Sequence, residues 1–158
     1  MSLRVLPLLI IPFILYNVVV LFRGGTAVDG TPLAASAAAD GVLRKVLFTL
    51  PMVGGAKWHF SMGDLLILVT MFVPFFELIK STYTSSSSLL DHGLSMLVFI
   101  ACLVEFLLVH QAATSVFFFI MIATLIDVVA GFMIGIRTAR RDLNIGGHGG
   151  DQRREVVG

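Results

Sequence analysis

Four apolar runs, each about as long as a bilayer is thick, leave this chain few ways to fold. They cover residues 3–22, 60–79, 89–109 and 114–136 of a 158-residue sequence. A spanning helix takes roughly 20 apolar residues, so the four runs and their connections nearly use up the chain. Charged residues make up 13%, against ~25% in an ordinary soluble domain, and hydrophobic residues make up 57%. That balance does not suit a soluble enzyme domain, a disordered tail protein or a disulfide scaffold. The one cysteine, Cys102, sits in an apolar run and reads as a small packing residue. A net charge of +1 without a clustered basic surface argues against a nucleic-acid partner.

The expected fold class is all-α: a four-helix transmembrane bundle over residues 1–136, with an amphipathic outer-loop helix. A basic, Gly-rich, flexible cytoplasmic tail follows at 137–158. The first run carries Pro7, Pro12 and Asn17. It exceeds the ~7–15 residues of a signal-peptide core, so it reads as an uncleaved helix. The outer loop, 24–59, opens with Thr31-Pro32, the signature of an N-cap followed by proline at the first helical position. The alanine-rich stretch after it reads as a short helix ending near Asp40-Gly41. Val42, Leu43, Val46, Leu47 and Leu50 then fall at helical spacing. This suits an amphipathic helix, lying in the lipid interface with Arg44 and Lys45 towards headgroups or packed on its own bundle. Gly54-Gly55 reads as a turn and Trp58 as an interfacial anchor.

Basic residues set the orientation. With the N-terminus inside, the inner side holds Arg4, Lys80, Arg137, Arg140, Arg141, Arg153 and Arg154; the outer side holds Arg23, Arg44, Lys45 and Lys57. Seven against four favours both termini in the cytoplasm, and a bacterial cytoplasmic (inner) membrane is the expected setting. Arg137, Arg140 and Arg141 suit contact with anionic lipid headgroups. His148 and the glycines around it lack the lysine and strand of a phosphate loop.

Ionisable groups inside a membrane are costly unless paired or wetted, which makes them the functional candidates. Asp64, Glu77, Glu105 and Asp127 lie at staggered depths, and on one seam they would form a protonatable ladder. Each also has a plainer reading. Asp64 opens its helix, where the macrodipole favours an anion. Glu77 has Lys80 three residues later, the spacing of a helix-surface ion pair. Ser88 and Asp91 have capping spacing. Asp127 lies in the row Ala123, Asp127, Gly131, Gly135, whose small residues let helices approach closely. It would then be bonded to a neighbour such as Asn17 or Thr70, or face a partner subunit. Glu105 has no basic residue within four positions, so its partner must come from another helix, the outer loop or a second protein. His59 and His110, both on the outer side, are weak haem candidates. His92 lies about 27 Å from His110 along its helix, and edge histidines are mostly polar residues of the interface.

No metal motif, nucleotide fingerprint or Ser/His/Asp set accompanies these residues, so no resident cofactor and no enzyme is expected. The leading expectation is an accessory, assembly or scaffold subunit of a larger membrane complex. Its partners would be the bilayer and other transmembrane subunits, or further copies of itself. The alternatives are a proton or cation conductor using Glu105 and Asp127, and a haem- or quinone-associated redox subunit.

Overall fold

A computed structural model describes residues 7–23, 31–81 and 88–146. Five α-helices and one two-stranded sheet appear among them. Helix α1, Ile10–Arg23, follows a tight turn in which Ile10 N donates to Pro7 O at 3.2 Å and Ile11 N to Leu8 O at 2.9 Å. Residues 3–6, expected in this helix, lie outside the described residues. Helix α2, Pro32–Leu43, starts as its sequence requires. Thr31 is extended, Ala34 N donates to its Oγ1 at 3.3 Å, and Pro32 takes the first helical position. The helix ends at Arg44, whose guanidinium reaches back to Asp40 at 3.1 Å.

The amphipathic helix expected over Val42–Leu50 is not there. Val46–Pro51 is strand β1, and it pairs antiparallel with strand β2, Lys57–Ser61. The helical spacing misled because Val42 and Leu43 belong to the end of α2 while Val46 starts a strand. Val46, Phe48 and Thr49 on one side and Trp58 and Phe60 on the other are strand formers, and they flank a Gly-Gly turn. Gly55 has φ +85°, a conformation that favours glycine, and its N–H donates to Met52 O at 2.9 Å. The pairs Phe48–Phe60 and Leu50–Trp58 lie on one face, and Thr49–His59 and Pro51–Lys57 on the other. The Phe48 and Phe60 rings stack at 4.7 Å, with Trp58 edge-on to Phe60 at 5.6 Å.

Strand β2 runs directly into helix α3, Met62–Ser81. Helix α4, Ser88–Leu108, is followed by a 3-10 turn at His110–Ala112 and then by helix α5, Ser115–Gly146. The expected tail boundary at 137 is not a structural one. Thr138 to Leu143 contain helix-compatible alanine and arginines, and α5 continues through them to the first tail glycine. Residues 147–158, and the serine connector at 82–87, lie outside the described residues.

Helix α5 is the centre of the packing and touches α4, α3 and α1. Phe117, Ile120, Met121, Thr124 and Val128 form its buried stripe, at the 3–4 residue spacing of one helix face. Tyr16 and Val20 of α1, Leu66 of α3 and Cys102 of α4 complete the core. At one end, α2 covers the 3-10 turn, where Ala39, Leu43 and Ala112 are buried. Among the described residues one helical segment, Ser115–Met133, is long and apolar enough to cross a membrane, while Ile10–Phe22 and Gly93–Leu108 are shorter apolar helices.

Gly63 sits where α2, α3 and α5 converge. A Cβ there would lie 3.1 Å from Val116 Cγ2 and 3.3 Å from Leu43 O, the latter being backbone that cannot swing aside. Gly63→Ala is therefore expected to lower stability by about 1–3 kcal/mol, the usual cost of overpacking. Gly41 in α2 has nothing within 4 Å of such an atom. Gly41→Ala is expected to raise stability by about 0.5–1 kcal/mol through helix propensity. Thermal unfolding of both variants in the same detergent measures the contrast.

Candidate functional site

The polar groups that join the helices converge on α1. Tyr16 is buried, with its ring edge-on to Phe117 at 4.8 Å. Its hydroxyl donates to Gln111 O at 2.7 Å and lies 2.8 Å from Thr114 Oγ1. Tyrosine has one hydroxyl proton, so with that proton on Gln111 the Thr114 hydroxyl is the donor to Tyr16. Thr114 Oγ1 in turn accepts from Phe117 N at 3.2 Å, as the N-cap of α5. A continuous chain of hydrogen bonds thus runs from the first turn of α5, through α1, to the turn that leaves α4.

Asn17, the next residue, serves Glu105. Its Nδ2 donates to Glu105 Oε2 at 3.2 Å and to Phe13 O at 3.2 Å, so both amide protons are used. This supplies Glu105 with the partner from another helix that the sequence required, and it corrects the pairing of Asn17 with Asp127. Thr70, the other partner considered for Asp127, donates to Leu66 O one turn back at 2.7 Å. At the far end of α1, Leu8 N donates to Glu77 Oε1 at 3.2 Å. Glu77 therefore reaches from α3 to the start of α1, where a carboxylate complements unpaired amides and the positive end of the dipole. The side chain of Lys80, the surface partner expected from the sequence, lies outside the described residues.

Asp64 is a cap. Its Oδ2 accepts from Ser61 N at 2.8 Å and Ser61 Oγ at 2.7 Å, while Asp64 N donates to Ser61 Oγ at 3.2 Å. The Ser-x-x-Asp spacing at 61–64 is the sequence signal for this reciprocal box. The corresponding side chains at Ser88 and Asp91, and that of His92, lie outside the described residues.

Asp127 is partly buried, and among the described residues it makes no side-chain hydrogen bond or ion pair. Its row turns as it descends. Residues four apart advance by about 40° around a helix, so the row Ala123, Asp127, Gly131, Gly135 spirals from the flank of the buried stripe towards its centre. Ala123, Asp127 and Gly131 are all partly buried, as that path requires. Gly135 lies further along α5; the side chains of Arg137, Arg140 and Arg141, on the same helix, lie outside the described residues. Glu105 is about 4.5 Å from the end of α4 and Asp127 about 18 Å past the start of α5, a height difference of about 13.5 Å. Between them the Cys102 thiol lies beside the Thr124 hydroxyl, whose proton goes to Met121 O at 2.7 Å.

The two histidines weighed as haem ligands belong to different elements. His59 is on β2, with its Nδ1 2.9 Å from Thr49 Oγ1, and His110 opens the 3-10 turn; both are exposed. Among the described residues no group of three or more His, Cys, Asp or Glu side chains is placed to hold a metal. Tyr16, Gln111 and Thr114 are not among the candidates that the sequence singles out. The available signal was a phenol in an apolar run, which needs a hydrogen-bond partner when buried. Comparison with protein-family models, curated proteins and solved structures finds no match to this chain.

Asn17→Leu strips Glu105 of its donor and is expected to cost about 1–3 kcal/mol, the penalty for an unanswered polar group. Glu105→Gln keeps an acceptor facing Asn17 and is expected to cost less. Removing both partners, Asn17→Leu with Glu105→Leu, is expected to restore part of the loss. Unfolding midpoints of the three variants in detergent test this order.

Proposed function

We propose that this chain is an integral membrane protein in which α1, α3, α4 and α5 span the bilayer with both termini in the cytoplasm. It acts there as a non-catalytic accessory, assembly or scaffold subunit. The distribution of burial supports the membrane assignment. Thr70, Ser95, Thr114 and Thr124 are buried, while Leu21, Phe22, Met71, Phe75, Leu97, Leu107, Ile126 and Met133 are exposed. A water-soluble bundle buries its apolar face; a bundle in lipid gains nothing by doing so and must satisfy its polar groups inside. A bacterial cytoplasmic membrane suits the basic residues of the C-terminal region.

The assembly role rests on one observation, the way the four acids are answered. Asp64 takes its bonds from Ser61, Glu77 takes one from Leu8 N, and Glu105 takes one from Asn17. The first of these closes the cap of α3, and the other two hold α1 to α3 and to α4. Asp127 alone of the four has no side-chain partner among the described residues, and it lies beside Ala123 and Gly131 on the flank of α5. A carboxyl group at that depth, next to residues small enough for close backbone approach, suits a donor on a helix from another subunit.

Purification of the native protein in mild detergent, followed by mass spectrometry, tests the reading. The expected result is stable recovery with a larger membrane complex or as a defined oligomer, with association weakened at least tenfold by Asp127→Leu. A monodisperse monomer without partners contradicts it. Proton flux in liposomes that Asp127→Asn abolishes would establish conduction instead.

A further inference from the structure

The β1–β2 hairpin presents an apolar face whose outer half stays about half exposed among the described residues. Phe48, Leu50 and Trp58 share that face, at 47%, 43% and 46% exposure, and Val53 at the tip is fully exposed. The opposite face carries Thr49, His59 and Lys57. We infer that the hairpin lies in the lipid–water interface of the outer leaflet, its Phe48–Leu50–Trp58 face turned to the acyl boundary and its Thr49–His59 face to water. The occupant of the face is the bilayer surface itself.

Continuity with the spanning helices supports this. Ser61 is both the last residue of β2 and the cap of α3, so no linker separates the hairpin from the end of a helix read as membrane-spanning. At the other end Met62 N donates to Lys45 O at 2.9 Å, which closes the base of the hairpin onto the same point. A strand of five residues reaches about 17 Å, so the hairpin stays near the surface from which α3 departs. Charge supports it as well. Lys45 at the base and Lys57 near the tip are exposed, and they suit the phosphates above a buried apolar face. Tryptophan and phenylalanine beside lysine are the side chains that settle at this depth. The hairpin's own hydrogen bonds pair the inner edges of its strands, and the headgroup layer is wet enough to satisfy the outer ones.

The inference rests on the membrane assignment, and the test separates the two. Trp58 is the single tryptophan, so the fluorescence of the unmodified chain reports the hairpin alone. The full-length protein is reconstituted into vesicles of phosphatidylcholine and phosphatidylglycerol and checked for resistance to alkaline extraction. Emission is then read with iodide in the water and with lipids brominated at successive acyl positions. The expected result is strong quenching by bromine near the glycerol end, weaker quenching by deeper bromine, and little quenching by iodide. Phe48→Ser with Leu50→Ser is expected to reverse this preference while resistance to extraction persists. Full access to iodide without bromolipid quenching, in protein that resists extraction, overturns the hairpin placement and leaves the membrane assignment standing. Shielding from both quenchers also overturns it, in favour of a protein surface such as a second copy. Loss of the protein on extraction overturns the membrane assignment.

Discussion

The hydroxyl of Tyr16 is the point from which the arrangement of this bundle can be derived. A buried phenol needs a partner, and the reversal between α4 and α5 has polar groups that need one too. The carbonyl of Gln111 accepts the Tyr16 proton, and the Thr114 hydroxyl completes the chain while capping α5. These bonds set the height of α1 against the α4–α5 pair. With Tyr16 at that height, Asn17 comes level with Glu105, and Leu8, about 12 Å back along the chain, comes level with Glu77. One register therefore serves three polar contacts on three different elements.

That register explains how a chain so poor in charge tolerates acids among apolar helices. Each acid is placed where a donor with no better partner is found: the start of α3 for Asp64, the start of α1 for Glu77, the side-chain amide of Asn17 for Glu105. Two of these donors are backbone amides at helix starts, which no intrahelical acceptor can serve. Asp127 departs from the scheme, which is why the proposed contact with another subunit falls on it. Its neighbours in the row, Ala123 and Gly131, add the steric room that such a contact needs.

Much of the fold was legible in the sequence and some of the site was not. The long helices follow from the long apolar runs, and α2 follows from Thr31-Pro32, whose capping chemistry is local. The hairpin was misread because its apolar spacing fits a helix as well as a strand; the decisive feature was the pair of strand-forming runs on either side of Gly54-Gly55. The length of α5 was misread because its change of composition at 137 is a change of polarity and not of helix propensity. Glu105 could be recognised as needing a partner, since nothing in its own helix answers it. That the partner is Asn17 depends on the height at which α1 docks, which is set by Tyr16 and leaves no local trace. Glu77 shows the same limit: its contact with Leu8 N, 69 residues away, is made only by packing.

The shared register is tested most directly by a double-mutant cycle on Tyr16→Phe and Thr114→Val, read from chemical unfolding of the full chain in detergent micelles. If the two hydroxyls act as one network, the coupling energy is expected to fall at about 0.5–3 kcal/mol, the range for groups in a common hydrogen-bond chain. Strict additivity of the two substitutions would show that Tyr16 and Thr114 act independently, and would contradict the role given to Tyr16 in setting the height of α1.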